Sequence, residues 1–327
     1  MLSKRTLWRV RAAVSVVAVV SLLAAAPASA SQLITRGAGR AHLAVNAKGE
    51  ALITYRQDGR TQHVLAWGAI NARPPTSGVP QVRFKLDYSG GWHTYRTNYW
   101  QTFRNACRRY TGPPLAFFVT ACDAPDGSHW ALQSWQVQLP DLGFTPWLWQ
   151  QRAWELHISH WTGAVPKLEA WTDWVYSGRF HQVFGRYSYE GRPVYGFGTT
   201  RVGGPTDGYG RLIYVDTYNS RYGPGWRREN SFVAHNPTGI WCYGFFPFDA
   251  SRYPHPKSVT GRAMRGPGNG QKYRLSANGP GAAPDVSIVV AGLHDFNPGN
   301  QADVDYERQQ NAVLDSIIGP DKLCRQH

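Results

Sequence analysis

From residue 41 onward the chain is built of short runs that alternate apolar and polar residues, each stopped by a turn carrying Gly, Pro, Asn or Asp. AHLAVN, EALITYRQ and TQHVLAWGAIN succeed one another across AKG and DGR. QVRFKLDYSGGW sets Val82, Phe84 and Leu86 against Arg83, Lys85 and Asp87. A period of two belongs to a strand with one buried face, so such runs must pair into antiparallel sheets whose apolar faces pack together. The expected fold class is therefore mostly β, with two antiparallel modules and one C-terminal helix.

A small all-β module is expected over residues 31–140. It ends in a hairpin, AFFVTACDAPDGSHWALQSWQVQL, around Pro125-Asp126-Gly127. The stretch LPDLGFTPWLWQQ has two prolines and no clear period, and places a boundary near Pro140. Residues 141–327 then carry strand-like runs at intervals of roughly 8 to 20 residues, the spacing of a sandwich or jelly roll. Helical patterning is confined to Gln301–Ile318, with Asp303, Asp305 and Glu307 in the early turns and Gly319-Pro320 as a stop.

The first 30 residues read as a secretory signal. Lys4, Arg5, Arg9 and Arg11 precede an apolar run from Ala12 to Ala26, and Ala28-Ser29-Ala30 offers a small-residue cleavage site ahead of Ser31. The run is too short for the ~20 residues of a bilayer span, so the mature protein is expected outside the membrane, secreted or associated with the cell wall. Its removal leaves 31 Lys and Arg against 21 Asp and Glu, a balance of +10. Between Ala250 and Pro284 no acidic residue occurs among six basic ones. That charge suits polyanions, and for an exported chain it favours acidic polysaccharide or wall polymer over nucleic acid.

Four cysteines, Cys107, Cys122, Cys242 and Cys324, fit two disulfides in an exported chain. None of the three connectivities is excluded, and Cys107–Cys122 with Cys242–Cys324 is favoured. No C-x-x-C or H-E-x-x-H spacing calls for a metal, and nothing calls for a cofactor. Also absent are the G-x-S-x-G and G-x-x-x-x-G-K-[ST] motifs of common hydrolases and nucleotide-binding proteins.

Eight tryptophans fall between Trp130 and Trp174. Most are expected in the core. Trp147 and Trp149, on a proline-flanked loop, are the candidates for stacking on sugar. Glu169 and Asp173 would stand about 13 Å apart on a strand, wider than the ~5–9.5 Å of glycosidase carboxylate pairs. In AWELHISHW, Glu155, His157 and Ser159 share one face of a strand, and Leu156, Ile158 and His160 the other.

The segment LIYVDTYNSRYGPGWRRENSFVAHN, residues 212–236, concentrates polar chemistry in one hairpin. Ile213, Val215 and Thr217 form its apolar face. Tyr214, Asp216 and Tyr218 lie opposite, with Arg221, Arg227 and Arg228 near the turn and His235 farther along the second strand. A turn near Tyr222-Gly223 would set Asp216 towards Glu229, with a one-residue slip possible through a bulge. Two facing carboxylates would suit glycoside hydrolysis, and a tyrosine with His235 would suit elimination on a uronate polymer. The leading expectation is noncatalytic binding of an anionic or carbohydrate polymer. A lyase or hydrolase using the hairpin, and a structural envelope protein, are the alternatives.

Overall fold

The protein is described by a computed structural model covering residues 31–71, 83–136, 153–175, 178, 180–194, 198–199, 205–206, 213–220, 223–230, 239–245 and 270–318. In chain order the first strands are β1 (Gln32–Arg36), β2 (Gly39–Val45), β3 (Ala51–Gln57), β4 (Arg60–Gly68) and β5 (Phe84–Asp87). Two helical turns come next, α1 (Trp92–Tyr95) and α2 (Tyr99–Thr102), then β6 (Arg108–Arg109), β7 (Phe118–Asp123), β8 (His129–Gln136) and β9 (Trp154–Trp161). Strands β2-β3-β4-β5 make one antiparallel sheet and β1-β9-β8-β7-β6 another. Their apolar faces meet: Val45, Ile53 and Val64 pack on Trp130, Leu132, Leu156 and Ile158. The β3–β4 turn holds Asp58 and Gly59 at φ +50° and +75°, the left-handed pair that matches the twist of a two-residue hairpin.

Beyond Trp161 come β10 (Lys167–Val175), β11 (Phe180–Tyr189), β12 (Arg192–Pro193), β13 (Gly198–Thr199), β14 (Pro205–Thr206), β15 (Ile213–Ser220), β16 (Gly223–Asn230), β17 (Ile240–Phe245), β18 (Lys272–Ala277), β19 (Val286–Ala291) and α3 (Gln301–Ile318). Sheet β16-β15-β18-β19 faces a sheet of β10, β11, β12 and β17. Between them lie Val183, Tyr187, Trp241, Ile213, Val215, Tyr273 and Leu275. Gly185 is required here, since a Cβ would stand 2.0 Å from the Glu169 carbonyl and 2.4 Å from the Trp241 ring. Helix α3 seats Leu314 and Ile318 on Phe184 and Ile240, covering the other face of that sheet. The mostly-β class, the sandwich-like packing and the helix all match the sequence expectation.

The expected division near residue 140 does not coincide with an edge between sheets. Strand β9 pairs with β8 from His129↔Trp161 to Gln136↔Trp154, so the first sandwich extends through Trp161. Residues 154–161 are as rich in tryptophan as β10, which belongs to the second sandwich, but pairing partners are set by register across the sheet and not by composition.

The loop from Asn278 to Asp285, between β18 and β19, docks on the first sandwich. His160 N–H donates to Ala282 O at 2.7 Å, and Gln133 exchanges two 2.8 Å bonds with the Asp285 backbone. Cys107 and Cys122 form a disulfide, as favoured. Cys242 is also disulfide-bonded, and Cys324 lies outside the described residues. Among the described residues no helix is long and apolar enough to cross a membrane.

Candidate functional site

Strand β15 carries the chemistry because both its edges are paired, to β16 and to β18. Ile213 and Val215 turn into the second core as the alternation requires. Asp216 therefore points to the opposite face, yet it is only 2% exposed. Its cross-strand partner on β18 is Arg274, whose Nε and Nη2 donate to one carboxylate oxygen at 3.0 and 2.7 Å. A buried carboxylate is tolerated when a hydrogen-bonded cation matches it.

On the β16 side the register is one residue shorter than expected. Asp216 pairs with Arg228, Thr217 with Arg227 and Tyr218 with Trp226. The pairing shifts between Val215 and Asp216, and again between Tyr218 and Ser220. Asn219 at φ +50° accepts the Gly225 N–H through its Oδ1 at 2.8 Å and holds this irregularity in place. Glu229 falls at the first of these shifts, between Arg228 opposite Asp216 and Asn230 opposite Val215.

A pocket of about 230 Å³ opens over this face. Asp216, Trp226 and Arg274 line it from the second sandwich, and Phe117, Trp135, Gln136 and Trp154 from the first. The Arg274 guanidinium lies 4.7 Å from the Trp226 ring centre and 5.7 Å from that of Phe117, so aromatic faces hold it in place. Asp216 takes up two of its five N–H donors in these bonds. Trp154 is 52% exposed at the start of β9, while Trp135 is buried. The site thus offers aromatic walls, one exposed indole and a fixed guanidinium. It can hold a flat, partly apolar ring and donate hydrogen bonds to its oxygens.

Of the residues singled out in the sequence, Asp216 lines this pocket and Tyr218 borders it, its ring 5.2 Å from Trp226. Tyr214, Arg227 and Arg228 are placed by backbone pairing alone, and Glu229 by its position on β16. Arg221, His235, Trp147 and Trp149 lie outside the described residues. Sequence reasoning does not reach Arg274, Trp226, Trp154 and Phe117 as a site. Their only signals are an acid-free basic stretch around Arg274 and a tryptophan-rich segment around Trp154.

The other sequence candidates are committed elsewhere. Glu169 accepts from Lys167 at 2.7 Å and from Arg186 at 2.7 and 2.9 Å. Burial pushes its carboxyl up, but these bonds outweigh that and hold its pKa below the usual value. With Asp173 it lies on a strand, so the two stand about 13 Å apart. Glu155, His157 and Ser159 share a face, as expected, and that face meets the docked loop. His157 is buried, with Nε2 3.1 Å from Glu155 Oε2 and Nδ1 3.0 Å from the Ser31 carbonyl oxygen. Burial depresses this imidazole, but the Glu155 hydrogen bond and the Asp285 charge raise its pKa overall. With both ring nitrogens facing acceptors, and Ser31 fully buried, the set is a structural network closed to substrate.

Comparison of the chain with protein-family models, with curated proteins and with solved structures returns no match.

Proposed function

We propose that this is a secreted protein that binds an acidic, sugar-bearing polymer and holds one ring of it in the pocket between Trp154, Trp226 and Arg274. The carrying observation is the pocket's composition: an exposed indole and a guanidinium clamped between Asp216 and two aromatic rings. Sugar rings present an apolar face to an indole and a rim of oxygens to N–H donors. A uronate adds a carboxylate that the remaining Arg274 donors and the protein's net positive charge would favour. The volume lies below the roughly 300–1,000 Å³ of drug-sized sites, which suits a single ring.

Binding is preferred to catalysis because the described lining holds one carboxylate, and that carboxylate is neutralised by Arg274. Glycoside hydrolysis uses two. The test is a titration of the secreted protein with defined uronate oligosaccharides and their neutral counterparts, monitored by tryptophan fluorescence. Saturable, salt-weakened binding of the acidic series with unchanged chain length supports the reading. New reducing ends or unsaturated-uronide absorbance would replace it with hydrolysis or elimination. Absence of any binding would leave the structural envelope role.

A further inference from the structure

Ser31 stands one residue beyond the expected leader cleavage site and is completely buried. Chain ends are ordinarily exposed and loosely held. Here the residue is clamped by the loop of residues 278–285 in the second sandwich, which docks on the first. Its Oγ donates to Asp285 Oδ1 at 2.5 Å, and its backbone N–H donates to Gly279 O at 3.2 Å. Gly279 N–H in turn donates to the same Asp285 oxygen at 2.8 Å. Gly279 cannot carry a side chain, because a Cβ would lie 2.0 Å from the Ala283 carbonyl oxygen, so the loop closes around Ser31 at this point.

Asp285 is 1% exposed, and its two oxygens are unequal. Oδ1 accepts two hydrogen bonds, whereas Oδ2 is buried with no donor among the described residues. The Oδ1 atom of Asn278, the residue preceding Gly279, is also buried without a donor among the described residues. An unmatched carboxylate oxygen at this depth is costly, and a cation beside it is the usual remedy. The Ser31 α-nitrogen donates to the carbonyl of Gly279, whose own N–H is bonded to Asp285, and the Oγ of the same serine is bonded to that carboxylate as well, so the nitrogen lies beside it. As a peptide nitrogen it has one proton to give. As a terminal ammonium it has three and a positive charge.

We propose that removal of the leader between residues 30 and 31 completes this site: the new α-ammonium of Ser31 is buried as an ion pair with Asp285 and locks the joint between the two sandwiches. The covalent step is hydrolysis by the exporting cell's leader peptidase. Water adds across the Ala30–Ser31 amide, leaving a carboxylate on Ala30 and an ammonium on Ser31. The other charged groups around the pair are His157, Glu155 and Arg36, with Arg36 bonded to Glu155 at 2.8 Å. Burial pushes the Asp285 carboxyl up, and the incoming ammonium would return it to the ionised form. The inference rests on export but not on ligand binding, so a failed sugar titration leaves it standing.

Three measurements test it. Intact mass of the protein collected from a secreting host gives a chain beginning at Ser31. An amine-acetylating reagent near neutral pH modifies the Ser31 α-amine of the unfolded protein at least ~100-fold faster than that of the folded protein, the protection expected of a site opened only by unfolding. Finally, Asp285→Asn is compared in chains beginning at Ser31 and at Ala30, the latter released from a fusion. The substitution lowers the folding constant about tenfold more in the chain beginning at Ser31, the signature of a direct coupling. A start at another residue, equal acetylation of folded and unfolded chains, or equal cost in the two backgrounds would each overturn the proposal. The acetylation result stands even if Asp285→Asn does not fold.

Discussion

Asp216 and Asp285 are both buried where the two sandwiches meet, at 2% and 1% exposure, and they are accommodated in opposite ways. Asp216 faces a guanidinium that is itself partly open to solvent and stacked on aromatic rings. Asp285 is bonded to a hydroxyl and a backbone N–H, with the buried His157 imidazole nearby, and is itself almost fully buried. A carboxylate paired to a cation that reaches the surface can orient that cation for a ligand. A carboxylate sealed by local donors can only hold structure together. The comparison separates a seam with an opening from a seam that is closed.

The largest effect is expected on the open side. Arg274→Met takes away the cation bonded to buried Asp216, and should cost about 3–5 kcal/mol in denaturant unfolding. Adding Asp216→Leu to that variant should restore most of the loss, because two apolar groups no longer need each other's charge. If the single variant is as stable as the parent, Asp216 is not held by Arg274 in the way described.

Acid should act on two buried imidazoles, His160 on the closed side and His181 inside the second sandwich. Burial pulls His160, which stacks on Trp130 at 3.7 Å, down to about 4, the bond to the Gly68 carbonyl opposing only part of that shift. His181 is likewise lowered to about 4 by burial. A histidine whose folded pKa lies below its unfolded value near 6.5 stabilises the fold fully above 6.5. That contribution is lost as pH falls towards 4, because the unfolded chain takes up the proton first. Each contributes ~3 kcal/mol over this window. Unfolding free energies measured from pH 7 to pH 4 should fall accordingly, and His160→Gln should remove about half of the slope. A flat profile would contradict the burial of both rings.

Smaller still is Ser159→Ala, which deletes the 3.3 Å bond from Ser159 Oγ to Ala283 O. It should lower stability by about 1 kcal/mol and leave ligand binding untouched. A loss of binding would mean that the closed seam and the pocket are coupled.

Much of this frame was legible in the sequence. The alternation in IYVDT placed Ile213 and Val215 inside and Asp216 on the other face, and the structure agrees. The short loop between Cys107 and Cys122, and the acidic early turns of the segment now seen as α3, identified their elements directly. The pocket was not legible in the same way. Arg274 is 58 residues from Asp216, and only the β15–β18 register brings them opposite. Ser220 pairs with Gly223, and the shift at Asn219 advances that register by one residue, which sets Arg228 across from Asp216. Alternation also cannot say where an opposing layer stops. Trp154 shares the parity of the core residues Leu156 and Ile158, but it lies at the strand end, beyond the cover that buries them.

The most direct measurement is a fluorescence titration of an acidic oligosaccharide into the parent protein and Trp154→Ala, with thermal unfolding of both. Because Trp154 is half exposed, its removal should change stability by no more than ~0.5 kcal/mol. It should weaken binding about tenfold, which corresponds to the ~1.4 kcal/mol scale of one aromatic stacking contact. Unchanged affinity at unchanged stability would place the ligand elsewhere and contradict the assignment of this pocket.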